Sequence, residues 1–148
     1  MTPADGAPAV EGASFADRAF AVTAEAYADT AGGWELSIQA AIAALFDFLA
    51  ERPGETNACV LADREGSGRD TLAHRDRTIE RFVELLRPGF AAAPMPPPPV
   101  VGDAIGGGIY ALVRCHVLER RRDELPAAAS DAAFVALSPF MGAERAQR

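Results

Sequence analysis

The sequence predicts an all-α chain, and three observations carry that prediction. Apolar side chains return at helical spacing in six successive segments, and no segment alternates apolar and polar residues over the length of a strand. Alanine, the strongest helix former, occurs 32 times in 148 residues, while aromatic residues make up only 7%. The six segments are separated by clusters of glycine and proline, which end helices by removing either a side chain or a backbone donor. The expected architecture is a six-helix bundle over residues 14–148, preceded by a flexible tail at 1–13 that is too small and too proline-rich to bury a face.

The first segment starts at Ser14, a capping residue, with Asp17 near the positive end of the helix dipole. Its inward stripe is Phe15, Ala19, Phe20, Val22, Thr23 and Tyr27, and Gly32-Gly33 stops it. The second has the clearest pattern: Trp34, Ile38, Ile42, Leu45, Phe46 and Leu49 share one face, and Pro53-Gly54 ends it. A short helix holding Cys59, Val60 and Leu61 follows, ending at Gly66-Ser67-Gly68. Residues 69–87 read as a long amphipathic helix with Leu72, Ile79, Phe82, Val83 and Leu86 inward, closed by Pro88-Gly89. Five prolines between 94 and 99 then form an extended connector. From Pro99 the period continues through Val101, Ile105, Ile109, Leu112, Val113, His116 and Val117 to Arg120-Arg121-Arg122, three cations suited to the negative end of a helix. Pro126 opens the last helix, whose stripe is Ala133, Phe134, Leu137 and Met141 and which Pro139 bends or ends.

Charge and composition exclude several functions. A net charge of -7 gives no basic field to hold the chain on phosphate backbones or anionic lipid, so direct nucleic-acid binding by this chain alone is not expected. No run approaches 18 consecutive apolar residues and the first residues lack the pattern of a secretory signal, which points to a cytoplasmic protein without membrane contact. Cys59 and Cys115 are too few and too distant for a disulfide framework. All 14 basic residues are arginine, the codon signature of a GC-rich bacterial genome.

Catalytic and metal motifs fail on their own terms. The run from Asp63 to Gly68 spaces oxygens like a calcium loop, but its twelfth position is His74 rather than a bidentate glutamate. His74 and His116 lie on different helices with no second ligand at i+4. No metal, cofactor or catalytic residue is expected, and the chain does not read as an enzyme. The oddest local feature is Gly106-Gly107-Gly108 inside a helix, where each glycine costs about 1 kcal/mol relative to alanine. Bare backbone there lets another helix or a ligand approach closely.

Several strings, taken together and in this order, resemble the effector-binding and dimerisation domain of TetR-family transcriptional regulators. They are WELSIQAAIAALFDFLAERP from Trp34, HRDRTIERFVELLRP from His74, IGGGIYALVRCHVLER from Ile105, then Glu124-Leu125-Pro126 and ALSPFMGAE from Ala136. The resemblance implies a bundle whose last two long helices pair with their symmetry mates and whose core holds a small hydrophobic effector. It does not extend to the family's helix-turn-helix reader, so the 148 residues read as a ligand-sensing domain without its own DNA-reading part. An interaction protein that heterodimerises with a full-length relative is the alternative, and a small all-α enzyme a weaker one. The family places its effector among helices that here offer Phe20, Tyr27, Ile42, Phe46, Phe82, Leu86, Ile105 and Ile109 as apolar lining, with Tyr27, Cys59, His74 and Tyr110 as polar groups to orient it. The last two helices carry more apolar surface than a monomer needs. Val113, Val117, Phe134, Leu137 and Met141 are therefore expected to form an isologous homodimer interface.

Overall fold

A computed structural model describes residues 14–64 and 69–147, without the side chains of 62–64, 69–72 and 74. The expected tail at 1–13, the Gly66-Ser67-Gly68 turn, the inward side chain of Leu72 and the side chain of His74 lie outside the described residues. Everything described is helix or connection, with no strand. The helices are α1 (Phe15–Asp29), α2 (Trp34–Glu51), α3 (Pro53–Arg64), α4 (Arg69–Val83), α5 (Arg87–Ala92), α6 (Val100–Leu118), α7 (Leu125–Met141) and α8 (Ala143–Ala146), with 3-10 turns at Glu84–Leu86 and Arg122–Glu124.

Local chemistry accounts for the boundaries. Ser14 caps α1 through a reciprocal pair: its hydroxyl accepts from the Asp17 amide at 3.1 Å, and the Asp17 carboxylate accepts from the Ser14 amide at 3.2 Å. Gly32 turns the chain toward α2 with φ +113°, a conformation that disfavours any side chain. The sequence places the end of the fourth helix at Pro88-Gly89, whereas the α-helix stops at Val83 and those two residues sit inside α5. A proline in a first turn loses no hydrogen bond. Gly89 is needed there because a Cβ would collide with the Trp34 ring.

α6 ends at Leu118, short of the three arginines. Arg120 adopts φ +60°, its amide donates to the Val117 carbonyl at 3.1 Å and the Arg121 amide to the His116 carbonyl at 2.7 Å, the paired bonds of a Schellman ending. The arginines are then used within the chain: Arg121 bridges Glu119 and Glu124, and Arg122 Nη1 donates to Asn57 Oδ1 at 3.0 Å. α6 is also distinguished by its length and apolar composition. It is the one described helix long and apolar enough to cross a membrane by length and composition, although it contains Asp103, Arg114 and His116. α7 runs through Pro139 to Met141 rather than breaking there.

The core is centred on α2 and α7. Phe46, Leu125, Ala132 and Leu137 are fully buried and Ala136 almost so. Alanines at 128, 132, 133 and 136 let α7 lie close against its neighbours. At one end, Phe140 meets Trp34 and Phe90 edge-on, with ring centroids 5.3 and 4.9 Å apart, and Trp34 Nε1 donates to the Leu85 carbonyl at 2.9 Å. α1 packs along α2, and α4 packs against α6 and touches α1.

Candidate functional site

The site follows from where large side chains fail to meet. α4 stands off from the α2–α7 core, and the space between holds a cavity of about 180 Å³. α1 contributes Phe15, Ala16, Ala19 and Thr23, and α2 contributes Ile38, Ala41, Ile42, Leu45 and Leu49. Thr56, Cys59 and Val60 come from α3, and Thr78, Ile79, Phe82 and Val83 from α4. Leu85 and Leu86 of the 3-10 turn, Ile105, Gly106, Ile109, Tyr110 and Val113 of α6, and Ala136 of α7 complete the wall. Gly106 marks the contact between α4 and α6: a Cβ there would lie 2.6 Å from Ile79 Cγ2 and 2.9 Å from Val83 Cγ2.

No charged side chain among the described residues lines this space. Its deepest hydroxyls are already committed, Thr23 Oγ1 donating to the Ala19 carbonyl at 2.8 Å and Thr56 Oγ1 to the Leu49 carbonyl at 2.8 Å. The nearby arginines are engaged elsewhere. Arg81 Nη1 donates to Asp17 Oδ1 at 2.7 Å and its guanidinium covers the Phe20 ring at 4.3 Å, while Arg75 lies over the Tyr110 ring at 5.8 Å and pairs with Asp76. The Arg81 hydrogen bond, with those from Ser14, holds the Asp17 carboxyl below the usual carboxylate range. These contacts and the Phe20–Phe82 edge-to-face pair, 5.2 Å between centroids, tie α4 to α1 across the outside of the cavity.

Of the residues expected to contact a ligand, Ile42, Cys59, Phe82, Leu86, Ile105, Ile109 and Tyr110 all line the cavity. Phe46 does not, because it points into the α2–α7 core, where it is fully buried. Phe20 stands behind Phe82, and Tyr27 is half-buried against the core, where burial pushes its hydroxyl pKa upward. The His74 side chain lies outside the described residues. Leu45, Thr56, Val60, Ile79 and Leu85 line the cavity without having been singled out. Ile79 and Leu45 were on inward stripes, but a stripe does not tell which inward residues border empty space.

The residues expected at a dimer interface divide differently. Leu137 is wholly buried within the chain, Val113 and Val117 nearly so, and Val113 forms part of the cavity wall. In the single chain these three side chains pack into its own core. Phe134 and Met141 are half-buried and pack against the core from its edge.

Among the described residues no three His, Cys, Asp or Glu side chains gather as a metal site would require. Comparison of the chain with models of known protein families, with curated proteins and with solved structures finds no match.

Proposed function

We propose that this chain is a ligand-sensing helical domain of the TetR-regulator type, holding one small uncharged hydrophobic molecule in the cavity bounded by α1, α2, α3, α4 and α6. The observation that carries the reading is the cavity's chemistry: a largely apolar wall in which the Thr23 and Thr56 hydroxyl protons are already used, with no charged side chain among the described residues. A charged guest would lose its hydration with nothing to replace it, which is costly, whereas an apolar guest loses only unfavourable contact with water. The volume sets the size. An apolar cavity of about 150 Å³ takes a benzene molecule, so about 180 Å³ accommodates a substituted six-membered ring or a short branched hydrocarbon. α6 links such a guest to the rest of the molecule, because it supplies wall residues on one face and solvent-facing residues on the other.

The test is thermal unfolding and amide NMR of the chain titrated in parallel with toluene and with benzoate. Toluene is expected to raise the melting temperature and to shift amides around Ile42 and Ile109. At about a hundredfold excess over Kd the stabilisation should approach 2.7 kcal/mol. Benzoate is expected to do neither, and Ile109→Phe, which fills part of the cavity, should remove the toluene response. Equal stabilisation by benzoate, or no response to toluene, would overturn the reading.

A further inference from the structure

α4 closes the cavity on its outer side, and its two edges are fastened in unlike ways. Toward α6 the contact is close and apolar. A Cβ at Gly106 would lie 2.6 Å from Ile79 Cγ2 and 2.9 Å from Val83 Cγ2, and one at Gly102 would lie 3.0 Å from Val83 Cγ1, so two stiff β-branched side chains are seated on bare helix. The C-terminal end of α4 is pinned as well, because it runs into the Glu84–Leu86 turn, whose Leu85 carbonyl accepts from Trp34 Nε1 at 2.9 Å.

Toward α1 the fastening lies on the outside. Arg81 Nη1 donates to Asp17 Oδ1 at 2.7 Å, with the two side chains 43% and 46% exposed, and the same guanidinium covers the Phe20 ring at 4.3 Å. Phe20 in turn meets Phe82 edge-on, and of these side chains Phe82 alone belongs to the cavity wall. Two rings in series and a solvent-screened ion pair are what separate the cavity from water along this seam. No described side chain of α4 is fully buried, whereas α2 buries seven residues.

We propose that α4 is the lid of the cavity, hinged along its Gly102 and Gly106 contacts with α6 and latched to α1 by Arg81, and that guests pass through the α1–α4 seam when Arg81 releases Asp17 and Phe82 turns away from Phe20. The inference rests on reading the cavity as a guest site. The direction of opening follows from the unlike edges. Parting α4 from α6 would lift Ile79 and Val83 off the backbone they are fitted to and expose apolar surface, whereas parting it from α1 breaks an exposed ion pair, a cation–π contact and one ring pair. Arg81 does not line the cavity, so it acts on the passage of a guest and not on its fit. The empty and the filled closed forms are latched alike, so loss of the latch favours opening of each by the same factor: entry and exit quicken together and affinity stays as it was.

Two measurements on the full chain supply the test: toluene exchange rates by NMR, and alkylation of Cys59 by N-ethylmaleimide. Cys59 belongs to the cavity wall and Cys115 is exposed on α6, so the second thiol calibrates the reagent within the same molecule. Arg81→Ala is expected to raise the entry and exit rates of toluene by about three- to tenfold with Kd unchanged, and the Cys59-to-Cys115 alkylation ratio by a similar factor. Arg81→Lys, which keeps the charge but covers the Phe20 ring less well, should fall between. Arg75→Ala removes a guanidinium from the Tyr110 side of the same helix and should change neither readout. Exchange and alkylation in Arg81→Ala equal to wild type, a change confined to Kd, or the same acceleration by Arg75→Ala would overturn the lid. Failure of toluene to bind would overturn the guest reading, and the Cys59 ratio would still decide by itself whether the seam opens.

Discussion

The α2–α7 side and the α4–α6 side of this molecule solve the same packing problem in opposite ways. On the first, alanines along α7 and fully buried Phe46 and Leu137 leave no room, and Gly89 exists to let the Trp34 ring lie flat against α5. On the second, side chains from six helices and a turn approach one space and do not fill it. Free energy of folding concentrates where contacts are dense, because an atom facing a void loses dispersion partners on that side. The packed side is thus the scaffold, and the α4 side has the looser contacts that a guest could complete.

Truncation should separate the two sides most strongly. Phe46→Ala is expected to cost about 3–5 kcal/mol, whereas Phe82→Ala, next to space that already exists, should cost less than about half of that, as chemical denaturation of both variants would reveal. Gly89→Ala comes next. Its methyl has to displace an indole fixed by a hydrogen bond and the Phe140 ring, so overpacking of about 1–3 kcal/mol is expected in the same measurement. A finer contrast lies within three consecutive glycines. Gly107→Ala should stabilise the chain by up to about 1 kcal/mol through helix propensity, while Gly106→Ala should destabilise it by about 1 kcal/mol because Ile79 and Val83 are β-branched and yield little. Equal effects at the two positions would mean that α4 is free to retreat into the cavity.

The smallest effect concerns pH. Asp17 has its pKa lowered in the folded chain, so its contribution to stability is in place above the ordinary value near 4 and is lost as pH falls through the lowered folded value. Asp17→Asn should therefore lower the melting temperature at pH 7, and the gap between variant and wild type should close below about pH 4. Solvent around the Asp17–Arg81 pair keeps the effect modest.

Much of the fold was legible in the sequence because helix periodicity is a local signal. The six long helices, the Ser14 cap and the break at Gly32-Gly33 are all set by residues within a turn or two of one another. The errors arose where a distant partner decided. Pro88-Gly89 looks like a stop, yet it sits inside α5, and the glycine serves Trp34, more than fifty residues earlier, whose ring packs on the bare backbone there. Phe46 and Ile42 belong to one stripe, but only tertiary packing sends the first into the core and the second to the cavity. In the same way, the 3.6-residue period marks Val113 and Val117 as apolar without saying whether they face their own chain or another. For the glycine triplet, composition signals a close approach, and only the position of α4 assigns it to Gly106.

Trp34 is the only tryptophan in the chain, and its indole nitrogen donates to the backbone of Leu85, a residue of the cavity wall. That hydrogen bond makes the protein its own optical instrument. Indole emission moves to longer wavelength when the ring gains water and changes in intensity when its hydrogen-bonded carbonyl shifts. A guest that repositions the Glu84–Leu86 turn should thus change the fluorescence of the unlabelled protein, while one that merely fills the space should leave it as it was. Light from one residue would then distinguish passive occupancy from a signal carried into the scaffold.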